Sequence, residues 1–184
     1  LFHVKQDFEL LARHYAHALD LFGPSVLREW PRHERTARRY AAALPANARL
    51  LDVGSGGGLP GIVIAQARPD VHVTLCERRQ RRASFLKLAV ARLGLANAEV
   101  FAHDVRRYQG AVQWVSAQAV GELPLLVDLV KHAVADPWHL LSRRPRTWYA
   151  PQELMGFRID PRREALDSEH DLVILTFTTG KEQA

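Results

Sequence analysis

Four glycines fall within five positions in the stretch LLDVGSGGGLPGI, Leu50 to Ile62, directly after an apolar run that ends at Asp52 and Val53. Glycines this dense after a strand let the chain turn sharply and let a ligand approach the backbone closely. An empty run of them is entropically costly, which favours a ligand-binding loop over a plain turn. Gly56-x-Gly58-x-x-Gly61 matches the dinucleotide fingerprint literally, but that motif needs its first glycine at the turn where the strand ends. Here the strand ends at Val53 and the glycine at its turn is Gly54. Counting from Gly54 puts Leu59 where the third glycine belongs, so the dinucleotide frame is out of step.

The frame Asp52-x-Gly54-x-Gly56-x-Gly58 begins where the strand ends, and Leu59 continues the same loop. It is the pattern of class I S-adenosylmethionine-dependent methyltransferases, in which an acidic residue at the end of the second strand takes the ribose hydroxyls. Glu77 closes VHVTLCE at that place. Carboxylates cost less beside a sulfonium and an ammonium than beside a pyrophosphate, which favours the methyl donor. Asp104, which ends AEVFAHD, and Val105 after it stand where adenine is contacted, although Asp104 reads equally as a turn or helix cap. Ser116, late in the fourth strand, completes the candidate donor set. Cys76 points to the opposite side of its strand from Glu77 and reads as core.

These residues must be positioned by alternating strands and helices. The strands read as ARLLDV, HVTLCE, AEVFAHD and AVQWVSAQAV; the helices as LPGIVIAQAR, RRASFLKLAVARLGL and LPLLVDLVKHAVA. This predicts an α/β, Rossmann-like three-layer sandwich with a mostly parallel sheet. RTWYAP, GFRID and HDLVILTF read as strands without long helices between them, which predicts an antiparallel closing edge. Residues 1–45 read as an N-terminal helical extension. Phe8, Leu11, Tyr15, Ala18 and Leu19 mark one amphipathic helix, closed by Gly23-Pro24, and a second runs from Pro31 to Pro45. The 184 residues, 47% of them hydrophobic, fit a single domain that needs no structural metal.

Methyl transfer from a sulfonium is a displacement in which alignment and electrostatics do most of the catalysis. A ring nitrogen such as guanine N7 has a lone pair and no proton, so no general base is required, and none is evident. The Asn/Asp-Pro-Pro-aromatic motif of exocyclic-amine methyltransferases is missing from SAQAV, and Cys76 is misplaced for nucleophilic attack on a pyrimidine. The residues favour a ring nitrogen or a small molecule as acceptor and do not choose between them.

The stretch from Leu50 to Val100 resembles the RsmG (GidB) family, which methylates N7 of a guanosine in small-subunit (16S) ribosomal RNA. GLPGI after the glycine run carries most of the resemblance. RPD before the second strand, the basic stretch leading to FLK, the opening FHVKQ and the closing HDLVILTF add to it. The chain departs from the family pattern in four places. It has no Asn-Leu-Thr ahead of the glycines; Ala117 follows Ser116 where the family has arginine; WYAPQEL stands in the region of a family Lys-Gly; and HDVRRY replaces an Arg-Ala-Glu-Glu-like turn. The resemblance implies S-adenosylmethionine as cofactor and 16S rRNA or the small ribosomal subunit as partner. The departures keep open a small-molecule methyltransferase and a donor-binding, RNA-associated paralogue without catalysis.

A net charge of +5 and a pI near 9.8 suit a polyanionic partner. Arg32, Arg35 and Arg39 share a helix face, and Arg78, Arg79, Arg81 and Arg82 cluster at a helix start; of these, Arg32, Arg35, Arg39, Arg81 and Arg82 are the candidate RNA contacts. Arg143, Arg144 and Arg146 read as preceding a late strand. For any one cluster taken alone, a solvated helix face is the simpler explanation. Trp114, Trp138, Trp148 and Tyr149 could stack on bases, but most of them read more simply as buried packing, with Trp148 and Tyr149 alternating faces of a strand. One cysteine excludes an internal disulfide, no apolar run approaches the roughly 20 residues that span a bilayer, and no signal-like start is evident, so the cytoplasm, with no membrane association, is the expected location, and a monomer is the expected state.

Overall fold

The computed structural model describes residues 4–118 and 121–180. Phe2 and His3 of the opening motif, and Ala119 and Val120 of the segment read as the fourth strand, lie outside the described residues. The elements are α1 (Val4–Tyr15), α2 (Pro24–Arg28), α3 (Trp30–Ala43), β1 (Arg49–Val53), α4 (Gly61–Ala67), β2 (His72–Cys76), α5 (Gln80–Arg92), β3 (Ala98–Phe101), a 3-10 turn (Val105–Arg107), β4 (Val112–Ala117), α6 (Leu123–Val130), β5 (Val134–Pro145), β6 (Glu153–Leu154), β7 (Phe157–Ala165) and β8 (His170–Thr179).

The strands form one sheet in the order β3-β2-β1-β4-β5-β8-β7-β6. The first five are parallel and the rest antiparallel. Because side chains alternate along a strand, β1 sends Leu50 to one face and Leu51 and Val53 to the other. Helices α1, α3, α4 and α5 cover the Leu50 face, where Val73, Leu75, Leu141 and Ile174 complete the core. Helix α6 and the 3-10 turn cover the Leu51 face, with Val115, Leu140 and Leu175. The result is the expected three-layer α/β sandwich with an antiparallel closing edge.

The N-terminal extension differs from its sequence reading. Helix α1 ends at Tyr15, and the chain turns through Asp20 at φ 49° before an unexpected short α2. Ala12 and Ala16 take the buried positions, whereas Ala18 is exposed. Phe8 and Phe22 both pack edge-on against Trp30, centroids 5.3 and 5.6 Å away. The Phe22 ring then lies directly over Gly57, where a Cβ would come within 2.2 Å of it. One glycine of the run is therefore required by packing of the N-terminal segment.

The C-terminal third differs more. The helix read through Ala135 stops at Val130, and Val134–Pro145 is a long strand instead. Pro137 argues against a strand because it cannot donate to a ladder. The sheet accommodates it where the β4–β5 register shifts, between the pairs Val112↔Val134 and Trp114↔His139. Arg143 and Arg144 thus end a strand rather than precede one, and Arg146 follows it. RTWYAP is not a strand. Arg163 donates to the carbonyls of Pro145, Arg146 and Trp148, which pins this segment as a loop in place of ladder bonds, so Trp148 and Tyr149 do not alternate across a sheet. Met155 and Gly156, at φ 51° and 83°, make the tight turn between β6 and β7.

Replacing Gly57 with Ala should displace Phe22 and destabilise the chain by roughly 1–3 kcal/mol, the usual cost of overpacking. Urea unfolding should show this loss, and a Phe22→Ala background should remove most of it. An unchanged midpoint for Gly57→Ala alone would contradict the contact.

Candidate functional site

At the end of β1, Gly54 adopts φ 71°, which turns the chain over the neighbouring strand. The Gly54 and Ser55 N–H groups then donate to the Cys76 carbonyl at 2.9 and 3.0 Å. Glu77 follows β2 and is 6% exposed. Its Oε2 accepts from the Gly56 N–H at 3.1 Å and its Oε1 from the Arg79 N–H at 2.8 Å. One carboxylate therefore ties the glycine loop to the start of α5.

The two loops open onto a cleft of about 480 Å³ above the carboxyl ends of β1, β2, β3 and β4. That is the size of a small-molecule site, at the place where open α/β sheets bind ligands. Gly54, Glu77, Asp104 and Val105 line it. Asp104 Oδ1 also accepts from the Arg106 N–H at 3.0 Å, so this residue caps the 3-10 turn and walls the cleft at once. Val53, Cys76, His103, Gln118, Leu125 and Leu129 complete much of the lining. Sequence reading did not select the last four. For Leu125 and Leu129 a signal existed: they lie four residues apart on α6, off the face that buries Leu123, Leu126, Val127 and Val130. Leu125 is 50% exposed.

Other candidates lie beneath or beside the cleft. Asp52 and Ser116 are both buried, and the Ser116 hydroxyl donates to Asp52 Oδ1 at 2.6 Å. Asp52 Oδ2 has no hydrogen-bond partner among the described residues and faces Gly61, whose added Cβ would come within 2.6 Å of it. Burial raises the Asp52 carboxyl to about 6 against the bonds that hold its charged form. Gly56 sits in the loop through its bond to Glu77, while Gly58 lies against Ile62 and Phe8. Leu59 packs against the core on the α4 side. Cys76 reaches the cleft from the α6 side, and burial pushes its thiol up to about 12, so it remains a neutral thiol at physiological pH.

The candidate RNA contacts separate into two groups. Arg32, Arg35 and Arg39 line a second cleft, of about 460 Å³, between α3 and Ala165–Asp167. Carboxylates occupy much of it: Arg32 pairs with Glu29 and Asp167, both at 2.8 Å, and Arg39 with Glu164 at 3.4 Å. Arg35 makes no such pair among the described residues. Arg82 faces the first cleft but is tied to Asp20, while Arg81 is exposed at the first turn of α5. Of the aromatic residues, Trp138 is stacked face to face on Phe177 in the core, centroids 3.9 Å apart, and Trp114 is stacked on His139. Tyr149 is 79% exposed. Among the described residues no cluster of His, Cys, Asp or Glu could hold a metal ion, and no helix is long and apolar enough to cross a membrane.

This strand order, with a glycine loop after β1 and an acidic residue after β2 beside one cleft, defines a class I methyltransferase architecture. Solved structures agree in fold. A SAM-dependent methyltransferase from Aquifex aeolicus superposes with a TM-score of 0.62 at 16% identity, over 86% of this chain and 100% of the other. TYW2 of M. jannaschii, solved in complex with AdoMet, gives 0.65 at 15% identity, over 80% and 76%. The family model GidB, rRNA small subunit methyltransferase G, matches residues 26–141, and the chain belongs to this family. A ribosomal RNA small subunit methyltransferase G from Acidothermus cellulolyticus is 42% identical over 130 residues, 70% of this chain and 59% of that protein. One from Sorangium cellulosum is 50% identical over 91 residues, 47% of this chain and 38% of that protein. The chain thus spans about half the length of these curated relatives.

Asp52 yields a pH-dependent expectation. Its folded carboxyl titrates near 6, above its ordinary value of 3.8, so the folded chain holds a proton that the unfolded chain has released between these values. Stability is therefore lost as pH rises from about 4 to about 6 and stays lower above that. Asp52→Asn should gain roughly 1–3 kcal/mol over wild type on going from pH 4 to pH 8 in urea unfolding. An equal difference at both pH values would contradict a raised Asp52.

Proposed function

We propose that the chain is an S-adenosylmethionine-dependent methyltransferase acting on guanine N7 of 16S rRNA. The observation that carries this reading is the buried Glu77 carboxylate facing a nucleoside-sized cleft at the end of β2. Each Glu77 oxygen takes one backbone N–H and keeps a second lone-pair direction for a ribose hydroxyl. Asp104 and Val105 would contact adenine, with Leu125 and Leu129 as the apolar wall. Gly54, Gly56 and Gly58 shape the loop for the methionine arm, and Leu59 anchors its far end. Asp52 and Ser116 hold that loop from below.

The donor, when bound, supplies a methyl group on a cationic sulfur; one S–C bond breaks as one N–C bond forms, and N7 has no proton to lose. The chain's residues then have to orient the two partners and exclude water, and the reaction asks no proton transfer of the cleft-lining His103 or Asp104. The neutral Cys76 thiol is consistent with a reaction lacking a cysteine nucleophile. Family membership favours an rRNA acceptor over a small molecule. A ribosomal substrate puts the proposed activity in the cytoplasm.

The test is transfer of a tritiated methyl group from S-adenosylmethionine to small ribosomal subunits from a strain lacking the family enzyme, with free 16S rRNA alongside. The expected result is stoichiometric label at one guanine, mapped to N7 by borohydride reduction and aniline cleavage. Label at another atom would replace the acceptor. No label, despite measurable donor binding, would favour a binding protein without catalysis.

A further inference from the structure

Arg144 differs from the arginines around it. Arg32, Arg68 and Arg163 each hydrogen-bond to carboxylates or carbonyls. Arg144 is half-buried, its side chain makes no hydrogen bond or ion pair among the described residues, and its Nε is shielded from solvent. Its guanidinium lies over the Trp148 ring, 4.9 Å from the centroid. Burial lowers its proton affinity, and Glu122 and the Tyr40 phenol act on it only at a distance. A partly desolvated cation left unpaired is costly, so folding alone does not account for it.

Its place in the fold supplies the reason. Arg144 stands at the carboxyl end of β5. In the β4–β5 register Ser116 pairs with Leu141, which sets Gln118, a wall of the donor cleft, level with the residue just before Arg144. If adenine lies at Asp104 and the ribose at Glu77, the reactive end of the donor points toward β4, and the acceptor nucleotide lies beyond it, over the ends of β4 and β5. This step rests on the proposed function.

We propose that Arg144, stacked on Trp148, binds a phosphate flanking the acceptor nucleotide and so positions the RNA for methyl transfer. A phosphate suits this cation better than the base edge does. Guanine gains positive charge as N7 is methylated, and a guanidinium facing that edge would oppose the reaction, whereas a phosphate offers paired oxygens to its planar fork. Trp148 holds that fork flat and keeps its remaining donors available.

The test compares wild type, Arg144→Gln and Arg144→Lys for binding to small ribosomal subunits across salt concentrations, and for methyl transfer. Arg144→Gln should weaken binding about tenfold and reduce the salt slope by about one, as expected for one lost phosphate contact. Its KM should rise while kcat stays within about threefold, and Arg144→Lys should recover the slope but only part of the affinity. Donor affinity should be unchanged, and the melting temperature unchanged or higher because an unpaired charge has been removed. Unchanged subunit affinity and KM in Arg144→Gln, with wild type active, would overturn this proposal alone. A lower melting temperature with unchanged binding would assign Arg144 a structural role and overturn it too. Wild type that neither binds nor methylates the subunit would overturn the rRNA reading, and this proposal with it.

Discussion

The site depends on one buried carboxylate. Glu77 is removed from water, and the Gly56 and Arg79 N–H groups from two different loops compensate its charge. Charge-assisted bonds of this type are stronger than neutral ones, and without them a buried carboxylate would be costly. The glycine loop is thus held against β2 by the same group that faces the cleft, which couples the loop's shape to the charge in the site.

A second constraint acts from the other side of the loop. Phe22 covers Gly57, Phe8 approaches Gly58, and Asp20 holds Arg82 at the cleft wall through both its carboxylate and its carbonyl. The N-terminal helices therefore close the outer side of the loop as well as extending the core. The glycines divide the work: position 54 takes a backbone conformation that side chains rarely adopt, while position 57 leaves room for an aromatic ring.

Much of the parallel half was legible because its determinants are local. The glycine run begins directly after β1, Glu77 falls directly after β2, and short apolar runs mark the parallel strands, so Gly54, Glu77, Asp104 and Val105 could be named before their positions were known. The antiparallel half was less legible because its determinants are distant in sequence. Pro137 cannot donate to a ladder, and the sheet accommodates it where the β4–β5 register shifts. The loop carrying Trp148 is fixed by Arg163, from another strand. The partners of the arginines were not legible, since spacing along α3 gives no sign that Asp167 and Glu164, from the far end of the chain, pair with Arg32 and Arg39. The solitary state of Arg144 was hidden for the same reason.

Isothermal titration of S-adenosylmethionine into wild type and into Glu77→Ala tests the cleft most directly, with thermal unfolding of both to establish that the variant is folded. A single site on wild type, weakened at least tenfold in the variant, is the expected result, because hydrogen bonds to a charged group contribute roughly 1.5–3 kcal/mol each. Equal affinity in the two proteins, or no binding to wild type, would contradict the assignment of this cleft to the methyl donor.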